Sequence, residues 1–210
     1  MKEEKKHAGL LVIDVQKDFC PGGALAVNGG DRIIPLINKI MEKFERVVAT
    51  QDWHPVEHTS FAVNHKGKKV LDTVEVHGIT QVLWPEHCVQ GTEGADFHPD
   101  LEKRYFNLIL RKGMNPELDS YSAFFENDKT TSTGLEYYLK GLGLSHVYIC
   151  GLATDYCVYY SAMDALKLGF QTLLIEDATQ GVDLPSGSVA HAIAQMKNAG
   201  IKVIGSSELW

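Results

Sequence analysis

Six short, mostly apolar runs punctuate this chain, at residues 9–13, 46–50, 107–110, 146–150, 171–175 and 201–204. Runs that are apolar at nearly every position, rather than at alternate ones, suit strands covered on both faces. Helical spacing fills several of the intervals. Residues 31–44 carry apolar side chains at 33, 34, 37, 40, 41 and 44, with Asp31 as the expected N-cap, and similar patterns occupy 131–142, 154–168 and 186–199. Short buried strands alternating with helices imply parallel crossover units. The expected fold is α/β: a doubly wound, mainly parallel six-stranded sheet with helices on both faces.

With 210 residues, 44% hydrophobic and 22% charged, the chain can build one substantial core and is too short for two ordinary domains, so a single domain over 1–210 is expected. A net charge of -7 argues against a nucleic-acid partner, and the basic cluster Lys66-Gly67-Lys68-Lys69 is short. The charged residues 1–6 lead into an apolar run broken at Asp14, so neither a signal peptide nor a membrane span is expected. A cytoplasmic protein without membrane contact follows. The cysteines at 20, 88, 150 and 157 lack paired C-x-x-C spacing and imply no disulfide framework. Oligomeric state stays open, a homo-oligomer included.

The stretch 51–101 is far longer than an ordinary connection, yet it holds two of the three tryptophans and most of the nine histidines. We expect it to be an ordered wall of a site. Asp14 follows the first strand, Asp52 the second, Arg111 and Lys112 the third, and Cys157 lies just past the fourth. Ligands of open α/β sheets bind beyond the carboxyl ends of the strands, where these groups can converge. Cys157 sits at a helix start, among N–H groups without intrahelical partners, and both they and the helix dipole favour a thiolate. Asp14 can serve as base and Lys112 as the cation beside the thiol, with N–H groups of the turn aimed at an oxyanion. This set suits acyl transfer through a thioester.

A second constellation lies in the long stretch. Asp52-Trp53-His54 places an acid and an imidazole on one side of an extended segment, and Trp84-Pro85-Glu86-His87-Cys88 offers His87 as a third ligand. Two imidazoles and a carboxylate suit one divalent ion, Zn²⁺ first, with Fe²⁺ or Mn²⁺ as alternatives. His58, His65 and His77 read as solvated loop residues.

These residues fall within seven ordered motifs: Ile13-Asp14-Val15-Gln16-Lys17-Asp18-Phe19-Cys20-Pro21-Gly22-Gly23, Thr50-Gln51-Asp52-Trp53-His54-Pro55, Ser60-Phe61-Ala62, Trp84-Pro85-Glu86-His87-Cys88-Val89-Gln90-Gly91, Arg111-Lys112-Gly113, Tyr121-Ser122-Ala123-Phe124 and Gly151-Leu152-Ala153-Thr154-Asp155-Tyr156-Cys157-Val158. Over essentially its whole length the chain resembles the isochorismatase-like cysteine hydrolases, in their nicotinamidase/pyrazinamidase branch. The resemblance implies the isochorismatase-like hydrolase fold, Asp14, Lys112 and Cys157 as catalytic triad, and Asp52, His54 and His87 as metal ligands. Some relatives recruit a histidine nearer the position of His58 or His65, and His87 is favoured here for its Trp-Pro-x-His-Cys setting.

The resemblance also implies the N–H groups of Ala153 and Cys157 as oxyanion hole, Phe19 and Trp84 flanking a pyridine ring, and a cis peptide between Leu152 and Ala153. Tyr121 and Phe124 are expected in the pocket wall. The implied reaction is hydrolysis of nicotinamide to nicotinate and ammonia, in pyridine-nucleotide salvage, with pyrazinamide as a further substrate. Two alternatives stand beside it. Metal-free relatives cleave other small amides or carbamoyl compounds, and they would lack Asp52-x-His54 with His87. A thiol redox sensor or metal-binding module would want a resolving cysteine close to Cys157.

Overall fold

The computed structural model describes residues 7–209; the charged segment 1–6, and with it the expectation about a signal peptide, lies outside the described residues. Strands β1 (Ala8–Ile13), β2 (Val47–Asp52), β5 (Leu108–Lys112), β6 (His146–Leu152), β7 (Gln171–Gln180) and β8 (Lys202–Ile204) form one sheet in the order β5-β2-β1-β6-β7-β8. Every pairing in it is parallel. β3 (Thr73–Val76) and β4 (Ile79–Val82) form a separate antiparallel hairpin inside the long stretch.

The strands are apolar throughout because both faces are covered. Leu10, Val12, Val47, Ala49, Cys150 and Leu152 pack on one side with Ile34, Ile37, Ile40 and Met41 of α1 (Ile34–Met41). Leu11, Ile13, Val48, Val147 and Ile149 face the other side. There they meet α2 (Leu135–Gly141), α3 (Tyr159–Lys167) and α4 (Ser188–Ala199) through Leu135, Leu139, Ala162, Ala165 and Met196. The two-residue period of a strand splits each run between two cores. Cys150 and Cys157 fall in opposite cores, which removes the nearest resolving cysteine that a redox sensor would need. Among the described residues no helix is long and apolar enough to cross a membrane.

Several element boundaries differ from the sequence expectation. Asp31 lies inside a 3-10 turn, Gly30–Ile33, and caps nothing with its side chain; Pro35, in the first turn, sets the start of α1 instead. Residues 131–134 are not helical. The Asp128 carboxylate accepts the N–H groups of Thr130 and Thr131, and the Thr133 hydroxyl donates to the Ala123 carbonyl at 2.7 Å, which holds α2 off until Gly134. Residues 154–158 form a π-helical turn ahead of α3. β7 runs past 175 to Gln180, with its register against β6 shifted between Ile149 and Gly151. Asp52, Arg111 and Lys112 are the closing residues of their strands rather than the residues after them.

The order of the sheet places its switch point between β1 and β6, whose carboxyl ends carry Asp14 and, past the turn, Cys157. Close approach there depends on Gly151: at φ +112°, a Cβ would lie 2.2 Å from the Ile13 carbonyl oxygen. A short bridge from Gln16 to Phe97 pins the long stretch to this edge, and bridges from His54 to Val89 and from Phe61 to Trp84 tie it to itself.

Candidate active site

Lys112 organises the site. Its side chain is fully buried, and its ammonium lies 2.9 Å from Asp14 Oδ2 and in closest contact with Asp52 Oδ1. It also donates to the Ser120 carbonyl at 2.9 Å and reaches Cys157 Sγ at 3.5 Å. Burial pulls this amine's pKa down, but the two carboxylates more than offset it and hold it well above its ordinary value. Asp14 stands at φ +47°, its N–H donating to Thr50 Oγ1 at 3.1 Å while that hydroxyl donates to Asp14 Oδ1 at 2.6 Å. Its other oxygen, Oδ2, is buried with no hydrogen bond of its own, although the ammonium lies beside it.

Burial raises the Asp14 pKa despite Lys112, whereas at Asp52 the opposing pull of Lys112, helped by His54, overcomes burial and lowers it. The same burial pushes the Cys157 thiol up, with Lys112 working against it. One oxygen each of Asp14 and Asp52 and the Cys157 sulfur lie within 4.8 Å of one another. Such a set favours a shared proton over a free thiolate.

A pocket opens over this cluster. Phe19, Trp84, Tyr121, Ala153 and Cys157 line it, with Leu25, Val27, Tyr156 and Val182 closing its apolar sides. Trp84 Nε1 donates to the Tyr121 hydroxyl at 3.0 Å, and its ring meets Tyr156 edge-on at 5.1 Å. Phe124 is fully buried in the core behind the pocket and is not part of its lining, a departure from the sequence expectation. The peptide between Leu152 and Ala153 is cis, as expected. In the π-helical turn the Ala153 carbonyl accepts the N–H groups of Tyr156 and Val158, passing over that of Cys157 between them.

On the pocket floor, Asp52, His54 and His87 bring ligand atoms within 4.8 Å of one another. His54 Nδ1 donates to the Gly113 carbonyl and His87 Nδ1 to that of Pro85, each at 2.8 Å. A carbonyl can only accept, so both Nε2 atoms keep their lone pairs. They lie 3.7 and 4.0 Å from Asp52 Oδ2, too far for hydrogen bonds. Two donors on one tetrahedral zinc, each at roughly 2.1 Å, stand about 3.4 Å apart, so the set fits a shared ion. The approach of His54 to Gly113 excludes a side chain there, since a Cβ at residue 113 would lie 2.3 Å from His54 Cε1.

His58 is not solvated, contrary to the sequence expectation: it is fully buried, its ring 4.2 Å from that of His54, and its Nε2 lacks a hydrogen-bond partner. With His54 and Asp119 it forms a second possible ligand set. Asp52 and His87 both line the pocket, whereas of His58 and Asp119 only Asp119 does, which favours the first set. His65 is half-buried, donating to the Thr59 carbonyl, and His77 is exposed.

Sequence reasoning missed Thr50, the Ser120 carbonyl, Asp119 and Tyr156. Thr50 and Tyr156 stand inside quoted motifs at the sheet edge, where position alone could have raised them. Asp119 carried no local signal.

The isochorismatase domain model matches residues 8–208. A nicotinamidase of Acinetobacter baylyi is 48% identical over 207 residues, covering 99% of this chain and 96% of its own. The solved structure of an Acinetobacter baumanii nicotinamidase/pyrazinamidase superposes with a TM-score of 0.95 at 52% identity, covering 98% of this chain and 99% of its own. A Pyrococcus horikoshii pyrazinamidase solved in complex with zinc gives 0.78 at 40% identity, covering 95% and 99%.

Proposed function

Because the chain belongs to the isochorismatase family, and within it to the nicotinamidase/pyrazinamidase branch, we propose that it hydrolyses nicotinamide to nicotinate and ammonia through a thioester on Cys157, with pyrazinamide as a second substrate. The observation that carries this reading is one buried ammonium, Lys112, touching Asp14, Asp52 and the Cys157 sulfur at the floor of an aromatic pocket.

The pyridine ring enters between Phe19 and Trp84, which supply flat apolar faces, while Tyr121 fixes the indole through its hydroxyl. Asp52, His54 and His87 would hold a divalent ion, zinc by the chemistry of the donors, and it would supply a Lewis acid beside the ring. The carboxamide then faces Cys157. Asp14, raised by burial and within reach of the sulfur, takes the thiol proton as sulfur attacks the carbonyl carbon. The N–H groups of Ala153 and Cys157 receive the oxyanion; one such donor is typically worth about 3–4 kcal/mol. Asp14 returns the proton to the departing nitrogen and ammonia leaves. Asp14 next deprotonates the water that cleaves the thioester, and it reprotonates the sulfur as nicotinate departs.

The test is ammonia release from nicotinamide by purified, zinc-reconstituted protein, with Cys157→Ala and a chelated sample alongside. Turnover abolished by the substitution, lost on chelation and restored by added ion is expected. Absence of turnover in the loaded wild type would sink the proposal.

A further inference from the structure

The first motif contributes more than its catalytic acid. Gln16, extended, and Asp18, in the 3-10 turn Lys17–Phe19, follow Asp14 closely in the chain, but their side chains hold the backbone of the metal cluster. Gln16 is fully buried; its Oε1 accepts the Asp52 N–H at 2.8 Å, and its Nε2 donates to the Asp52 carbonyl at 2.8 Å and to that of Ala95 at 2.9 Å. Both backbone groups of Asp52 are therefore held by one side chain. Asp18 Oδ2 accepts the Cys88 N–H at 2.7 Å, in the peptide that joins His87 to Cys88. Cys88 adopts φ +48°, unusual for a residue with a Cβ, and its carbonyl accepts the His54 N–H at 3.0 Å.

The same carboxylate also holds the loop that leads to Leu25 and Val27 of the pocket. Asp18 Oδ1 accepts the Ala24 N–H at 3.1 Å, and the carbonyls of Asp18 and Phe19 accept the N–H groups of Leu25 and Val27, each at 3.0 Å. Space for the carboxylate exists only because residue 94 is glycine: a Cβ there would lie 2.2 Å from Asp18 Oδ2.

We infer that Gln16 and Asp18 are positioning residues of the metal centre, fixing the backbone from which Asp52, His54 and His87 project. The inference rests on the ligand set of the proposed function. Neither side chain touches the Asp14–Lys112–Cys157 cluster, so removing them should loosen the ion and spare the thiol. Supporting groups one shell out from a metal typically matter by about 10–100-fold in affinity.

Asp18→Asn keeps the shape but places a donor against one N–H, and Gln16→Met keeps length without hydrogen bonds. The dissociation constant for Zn²⁺ is measured by competition with a chromophoric chelator, and alkylation of Cys157 by iodoacetamide is timed in the metal-free proteins. We expect each variant that folds to bind Zn²⁺ at least about tenfold more weakly than the wild type, with the alkylation rate unchanged within about twofold. Unchanged Zn²⁺ affinity in either folded variant overturns the inference for that residue. Loss of both affinity and thiol reactivity also overturns it, because the residues would then hold the whole site. Should either substitution abolish folding of the metal-free chain, the residue is a general structural support, and its assignment to the metal centre falls. A wild type that binds no Zn²⁺ removes the ligand set itself, a separate failure.

Discussion

At Lys112 two kinds of chemistry meet on one charge. Its ammonium neutralises the Asp14 side of the thiol cluster and the Asp52 side of the metal cluster, in a place closed to water. Removing one partner from a buried ionic set leaves the others uncompensated, a loss of about 3–5 kcal/mol. Lys112→Met should therefore lower the melting temperature markedly and cut ammonia release on the order of 10³-fold or more, since groups that act as a unit fail together. Thermal melts and turnover of the same sample check both. Asp14, Lys112 and Cys157 were legible in the sequence because each closes or follows an apolar strand, and parallel topology gathers such ends. Gln16 and Asp119 were not, because what they hold lies 36 and 38 residues away, in Asp52 and Gln81, and no local pattern marks such a partner.

The six strands were readable at the scale of elements because burial on both faces leaves an unmistakable run, whereas the helix starts were not. Periodicity continues through 131–134 and 154–158, but local side-chain bonds at Asp128 and Thr133, and the turn that presents Cys157, take those residues out of the regular helix. The β3–β4 hairpin escaped notice because each strand is only four residues long, its valines are half-buried and its one buried residue is a glutamine, Gln81. Gly151 sets how closely β6 lies beside β1. Gly151→Ala would drive a methyl group into the Ile13 carbonyl, so we expect destabilisation at or above the upper end of the about 1–3 kcal/mol typical of overpacking, read as a lower urea midpoint. Gly22→Ala, with open space around its Cβ, serves as the control for left-handed backbone alone.

Across the whole molecule, buried titrating groups make stability without a bound ion depend on pH. Burial, followed by the neighbouring His54 charge, pushes His58 and His87 down to about 4. In the unfolded chain both titrate near 6.5, so between about pH 6.5 and 4 the unfolded state holds more protons at these two sites and their contribution to stability falls as pH falls. Glu126, which burial raises to about 7, and Asp14, which burial also raises, take up protons in the folded state and oppose this loss. Calorimetry of the metal-free protein from pH 7 to 4.5 should show the melting temperature of His58→Gln falling less, or rising more, than that of the wild type; parallel profiles would contradict it. The central cluster obeys a different constraint. Asp14 and Asp52 against Lys112 amount to one net negative charge, and ionising Cys157 as well would seal two negative charges away from solvent. A single mobile proton therefore stays resident between sulfur and carboxylate, and the hydrogen that leaves with ammonia is one the enzyme already held, with the attacking water supplying its replacement.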